Sequence, residues 1–442
     1  MRWEGCEMRQ GRKIIGRLLP AGTLDLARGF SDNARRYLLT AALQNVGYGI
    51  IGTAFAIYLK DRGFGEAVVG DVEGALALAG AVVCLMLPPL VTSVGYRRLM
   101  VFAGLALGVS RLGQAYAPSA IAIVGLGLLY GVGDGAMQTL STAFLSENAG
   151  RGGRTRLFTA DFVVKTSAMV AGSLIGGIVP VLLRPMIGEH DAYRTTIVLA
   201  ALVMMSSGVT AWGITDRHLP GARGFSGWLA TLRGFSSWGR VARLLVPEML
   251  ISLGAGLVMP FVALFLKHRL GATVTEVGAI QAVSSVAMAI AALATPHLAR
   301  RIGLAGTVVL TELASLPFLL SIPFAQSLPV AAVLFWLRGM LMNMSWPIYN
   351  QLSMAGLPPA DKPLVAGWVR FGWSVAWLAG SSIGGRLMEQ SYTTPYFYTA
   401  ALYAAGAVAT FLLLRRVRDD DHPHDEHPEG EGPVGVGSVV TG

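Results

Sequence analysis

Asp134 and Gln138 stand four residues apart in GVGDGAMQ, so on a helix they share one face and offer a carboxylate beside an amide. That pair suits the uptake and release of a proton. Arg338, with Asn343 and Asn350 further along the same stretch, is the matching basic candidate, able to hold an anionic group or to counter Asp134. Asp161 and Lys165 are also four apart, acidic residue first, the order that favours an ion pair within a helix. Glu248 follows Pro247, and Gln44, Asn45 and Tyr48 cluster in QNVGY as uncharged groups that could orient a ligand by hydrogen bonds. For each there is a plainer reading: a buried partner for a neighbouring charge, or helix packing.

The elements that must position these residues are membrane-spanning helices. The chain of 442 residues is 53% hydrophobic and 14% charged, with a mean hydropathy of +0.55, against about 25% charged in an average soluble domain. Apolar runs long enough to cross the hydrocarbon layer give twelve expected helices. The first six, α1 to α6, are Tyr37 to Leu59, Ala67 to Val91, Leu99 to Ala117, Ala120 to Leu145, Leu157 to Leu183 and Thr195 to Ile214. The second six, α7 to α12, are Leu244 to Leu266, Thr275 to Leu298, Gly306 to Phe324, Leu328 to Leu352, Val365 to Leu387 and Pro395 to Leu414. They are too long and too evenly apolar for barrel strands.

A net charge of +9 could suggest nucleic acid, but its distribution points to topology instead. Of 35 Lys and Arg residues, 24 fall on the side of the two termini, six on the opposite side and five within helices. Both termini are therefore expected in the cytoplasm. The first 36 residues are basic and lack an apolar core, so α1 is the expected insertion signal. Cys6 and Cys84 form no disulfide framework. Residues 215–243 make a central cytoplasmic loop in which Trp228, Leu232, Phe235 and Trp238 alternate with arginines, suited to a membrane surface. Residues 415–442 read as a disordered tail rich in Asp, Glu and His. Its histidines do not amount to a metal site.

The chain repeats itself. AGSLIGG at 171–177 returns as AGSSIGG at 379–385. Gly47, Gly49, Leu59, Lys60 and Arg62 answer to Gly254, Gly256, Leu266, Lys267 and Arg269, and Pro88, Leu90 and Gly95 to Pro296, Leu298 and Gly303. Six helices per unit is an even number, so the units, 37–214 and 244–414, run parallel, related by an axis along the membrane normal. Residues common to both units serve the scaffold, and polar residues found in one unit alone are the better functional candidates. Asp134 faces Met342 in the repeat and Arg338 faces Tyr130.

From about Ala34 to Arg418 the sequence resembles the major facilitator superfamily. In PLVTSVGYRR, Gly95, Arg97 and Arg98 match its loop motif after the second helix, with Thr92 in place of the acidic residue. Gly172, Ser173, Gly176 and Gly177 resemble the Gly-Pro-x2-Gly-Gly element of its antiporters without the proline, and the antiporter arginine of α4 is absent. The resemblance implies an all-α fold of two six-helix bundles and a cavity lined by α1, α4, α7 and α10. It also puts Arg111 and Glu312 on peripheral helices, in structural roles.

The expected function is secondary active transport by alternating access, coupled to protons through Asp134 and not enzymatic, with efflux of small lipophilic or amphipathic compounds leading. An organic anion or other small metabolite, held by Arg338 and Lys165, is the alternative; a nontransporting receptor or a membrane-embedded enzyme is the rival from another class. The expected partners are a small-molecule substrate, protons and the bilayer of the plasma membrane, for a monomer without cofactor, metal or nucleic acid. Arg97, Arg98, Glu147 and Arg370 are expected at an inner gate, and Gly172, Gly176, Gly177, Gly380, Gly384 and Gly385 at close helix contacts.

Overall fold

The computed structural model describes residues 30–148, 154–216, 235, 237–354, 357 and 361–414. Most of the basic N-terminal tail, Trp228, Leu232 and the C-terminal tail with its histidines lie outside them. Among the described residues there are twelve long helices. They are α1 Asp32–Asp61, α2 Glu66–Val94, α3 Tyr96–Tyr116, α4 Ala120–Asn148, α5 Arg154–Ile187, α6 Glu189–Trp212, α7 Trp238–Val258, α8 Val274–Ile302, α9 Leu304–Ser321, α10 Leu328–Met354, α11 Lys362–Gln390 and α12 Thr394–Leu414. Eleven spans are long and apolar enough to cross a membrane. The chain is an integral, multi-pass membrane protein.

Most helices outrun their apolar cores. Ser31 caps α1 by accepting from the Ala34 amide at 3.2 Å, and Thr273 with Glu276 forms a capping box at the start of α8. α7 starts at Trp238, inside the expected central loop, where that ring packs on Phe235 and on Trp368 of α11. Beyond Val258 the α7 path continues through a 3-10 turn, Met259–Phe261, a short helical turn and a π-turn, Phe265–Arg269.

The two halves pack alike. α1 lies on α5 and α6, α3 on α4 and α6, and α2 on α4; α7 lies on α11 and α12, α9 on α10 and α12, and α8 on α10. Between halves the main contacts are α2 with α11 and α5 with α8, which are themselves equivalent under the repeat. Turn geometry repeats as well: of five glycines with positive φ, four form the pairs Gly63 and Gly271, Gly95 and Gly303, where a side chain would be strained.

The glycines of the twin heptads set how close the helices come. A Cβ on Gly172 or Gly176 would collide with Val46 or Ile50 of α1, and one on Gly380 or Gly384 with Leu253 or Leu257 of α7. These four hold each half together. Gly177 and Gly385 face the other way, against Val274 and Thr275 of α8 and against Glu66 and Ala67 of α2, so they bring the halves into contact.

Candidate functional site

The two halves are joined unequally at their two ends. On the side away from the termini, Lys60 pairs with the buried Glu66 at 2.7 Å, and the Tyr392 hydroxyl of the other half donates to the same carboxylate. Glu389 accepts from the Ala67 amide at 3.1 Å, and Arg386 pairs with Asp71 at 3.1 Å. Lys267 donates to the Tyr193 hydroxyl at 2.8 Å, and Thr275 to the Gly177 carbonyl at 3.0 Å. Toward the terminal side, the hydrogen bond found between the halves among the described residues is longer: Arg370 Nη2 donates to Gln138 Oε1 at 3.3 Å. The molecule is sealed on the far side and open on the terminal side.

Gln138 belongs to the central cluster. The Tyr48 hydroxyl of α1 donates to Asp134 Oδ1 at 2.7 Å, and the Gln138 amide donates to Oδ2 at 2.6 Å. Both carboxylate oxygens of Asp134 are thus engaged, and through Gln138 the group is one step from Arg370 on the opposite half. Behind Tyr48 stands Tyr130, edge to face at 6.4 Å. Arg111, 2% exposed, lies over Tyr130 at 3.8 Å and over Phe55 at 4.2 Å. Arg111 therefore turns inward between α1 and α4, not outward to the periphery, because stacking on two rings compensates a buried guanidinium. Glu73 of α2 feels the charges of both Arg111 and Asp134.

Arg338 does not counter Asp134. Its guanidinium donates to Tyr403 of α12 and, at 2.8 Å, to Met259 Sδ. It lines a cavity of about 250 Å³ inside the C-terminal half, with Glu248 of α7, Glu312 of α9, Tyr349, Trp346 and Trp373. Glu312, expected at the periphery, thus faces inward. Arg370 lies over Trp373 at 4.8 Å, and its charge reaches both Asp134 and Glu248. It is the cation between the two carboxylates.

Other sequence candidates are used locally. Lys165 and Asp161 form an ion pair at 2.8 Å, beside the Tyr37 ring of α1, so Lys165 is committed within its own half and is not joined to Arg338. Asn45 and Asn343 donate back to Ala41 and Gly339 of their own helices at 2.8 Å each. Gln44 is buried against the packed interior, and Asn350 lies outside the described side chains. Glu147 accepts from Tyr96 at 2.6 Å, while the Arg97 amide donates to Asp216 at 2.9 Å and its guanidinium lies on Trp212. Among the described residues neither Arg97 nor Arg98 forms an ion pair with Glu147. Asp216 takes the arginine's amide because it sits at the N-terminus of α3, where free N–H groups point outward.

Sequence reading missed Glu66, Asp71, Glu73, Arg386 and Glu389. The signal was present, since Asp71, Glu73, Arg386 and Glu389 face Ala279, Gln281, Ile178 and Val181 in the repeat.

Residues 244–440 match the family model described as Major Facilitator Superfamily. The chain belongs to the major facilitator superfamily. This facilitator superimposes on the nucleoside transporter NupG with a TM-score of 0.70 at 14% identity, covering 87% of this chain and 99% of that one. It also matches a bacterial homolog of the human lysosomal transporter Spinster, in an inward-facing and unoccupied conformation (TM-score 0.67, 12% identity, 87% and 95% covered). A D-xylose-proton symporter matches at 0.66 with 14% identity, covering 86% and 97%. No curated protein matches the chain in sequence. The facilitator is a membrane transporter by family, and not an enzyme.

Proposed function

We propose that this facilitator is a proton-coupled secondary transporter of small amphipathic molecules, working by alternating access. The observation that carries the reading is Asp134. It is a carboxylate in the middle of a membrane helix, held by Tyr48 and Gln138, and linked through Gln138 to the opposite half. A charge at that depth costs about 2.5 to 3.5 kcal/mol on insertion scales. Protonation removes the cost, and with it the negative charge that attracts Arg370 across the seam. The protonation state of one residue thereby biases how the halves meet.

With the termini in the cytoplasm of a plasma membrane, as the loop charges require, this is the inward-open state. The seal of Lys60, Glu66, Tyr392, Arg386 and Asp71 then closes the outer side. The aromatic walls of Trp346, Trp373 and Trp377, with Trp373 stacked on Trp377 at 4.9 Å, favour substrates with an apolar part. Efflux is the direction we favour, with uptake of a small metabolite as the other outcome of the test. That test is flux in proteoliposomes under an imposed pH gradient, with protein reconstituted in known orientation. Flux that follows the gradient and is lost in Asp134→Asn supports the proposal. Flux indifferent to the gradient removes the coupling, and no flux of any compound removes transport.

A further inference from the structure

Three charged side chains line the cavity in the C-terminal half: Glu248 at 7%, Glu312 at 4% and Arg338 at 5% exposure. None forms an ion pair among the described residues. Two also leave a buried polar atom without a partner, the acceptor Oε2 of Glu312 and the donor Nε of Arg338. Buried charge is expected to be paired or neutralised, so a cavity walled by three unpaired charges is built for a ligand that supplies the partners.

The charges are laid out in order. Glu248 and Arg338 sit near opposite ends of the stretch where α7 and α10 face the cavity, with Met259 of α7 beside Arg338 and Tyr349 of α10 toward the Glu248 end. Eleven residues separate Glu248 from Met259, about 16 Å along a helix. The charge of Glu312 acts together with that of Glu248, which makes an acidic end opposed by a basic one. Between them the wall is apolar and aromatic, with Ile251, Ala255, Met342, Trp346 and Trp373. The volume of about 250 Å³ equals roughly eight waters at about 30 Å³ each.

We propose that this cavity binds a small zwitterion of the amino-acid type, its ammonium against Glu248 and Glu312, its carboxylate against Arg338 and its apolar side chain on the tryptophans. A lone amine would leave Arg338 unpaired, and a lone acid would leave both glutamates unpaired. The site narrows the substrate class of the transporter proposed above and rests on that reading only for what happens after binding. Arg370, whose charge reaches Glu248 on this side and Asp134 on the other, connects the two.

The experiment is calorimetric titration of the purified full-length protein in nanodiscs with leucine, isoamylamine and 4-methylpentanoate. These three share one branched chain and differ in which charges they carry. Leucine is expected to bind at least about tenfold more tightly than either analogue. Arg338→Gln removes that advantage and leaves isoamylamine binding unchanged; Glu312→Gln removes it and leaves 4-methylpentanoate binding unchanged. The retained analogue shows in each case that the variant is folded. Equal affinity for leucine and one analogue, or no binding of any of the three, overturns the zwitterion site. Gradient-driven flux of other compounds by such a protein would leave transport standing, whereas leucine binding without any flux would keep the site and refute transport.

Discussion

The N- and C-terminal halves share a skeleton and differ in nearly every charge. Gly172 does for α5 on α1 what Gly380 does for α11 on α7, and Gly177 and Gly385 bring each of these helices onto the opposite half. Yet the N-terminal half holds Asp134 saturated by Tyr48 and Gln138, while the C-terminal half holds Glu248, Glu312 and Arg338 around an open cavity. Duplication fixed how the helices approach one another, because a tight backbone contact admits only one solution. It left free the polar positions, where each half acquired its own chemistry: one a satisfied carboxylate suited to a proton, the other a set of charges waiting for partners.

The comparison breaks first at the glycines. Gly172→Val and Gly380→Val each drive a side chain into a backbone carbonyl, and both are expected to cost about 3 kcal/mol or more, seen as loss of monodisperse protein in size-exclusion chromatography. Gly177→Val and Gly385→Val strain only the seam and are expected to yield folded protein with a loosened far-side seal. If Gly172→Val is lethal and Gly380→Val is tolerated, the halves do not share one packing rule. Next in size, Asp134→Asn is expected to reduce gradient-driven flux at least about tenfold. Adding Met342→Asp, which puts a carboxylate at the equivalent place in the C-terminal half, is expected to restore none of it; recovery would mean that the two sites are interchangeable.

The far-side ion pair sharpens the picture more gently. An exposed pair contributes about 0.2 to 1 kcal/mol, so Asp71→Asn and Arg386→Gln are each expected to raise labelling of a cysteine placed at Gly65 from that side by up to about fivefold. The exchanged pair, Asp71→Arg with Arg386→Asp, is expected to reverse most of the increase. The smallest effect belongs to Gln138→Ala, which removes the 3.3 Å bond to Arg370; about 0.5 kcal/mol predicts roughly a twofold change in flux.

The helices, their parallel repeat and the glycine contacts were legible because bilayer thickness and backbone sterics write themselves into runs and spacings. Asp134 was legible because a carboxylate in an apolar run has few reasons to be there, and its neighbour Gln138 because of helical period. Tyr48 was listed only as one of three uncharged candidates. What chose it over Gln44 and Asn45 is the rotation of α1 about its axis, which puts Tyr48 against α4 and leaves Asn45 bonded to its own helix. Arg338 and Glu312 share a cavity because α9, α10 and α12 pack side by side, a relation without counterpart in chain order. The seal residues Asp71 and Arg386 are 315 positions apart. Each breaks the repeat, but lying near helix ends both pass for ordinary boundary charges until the halves are brought together.

Pro260 stands in α7 where the repeat places Thr53 in α1. Thr53 adds a side-chain hydrogen bond to the Gly49 carbonyl at 3.1 Å, whereas Pro260 has no N–H to give the equivalent carbonyl of Gly256, and the path there relaxes into a 3-10 turn. One helix of the pair is therefore a stiff rod and the other a jointed arm. The segment beyond the joint carries Lys267, which grips Tyr193 and Glu189, while the segment before it carries Glu248. Bending concentrated at that elbow lets the extracellular clasp let go without dragging the acidic end of the cavity with it, which gives the C-terminal half a compliance that its twin lacks.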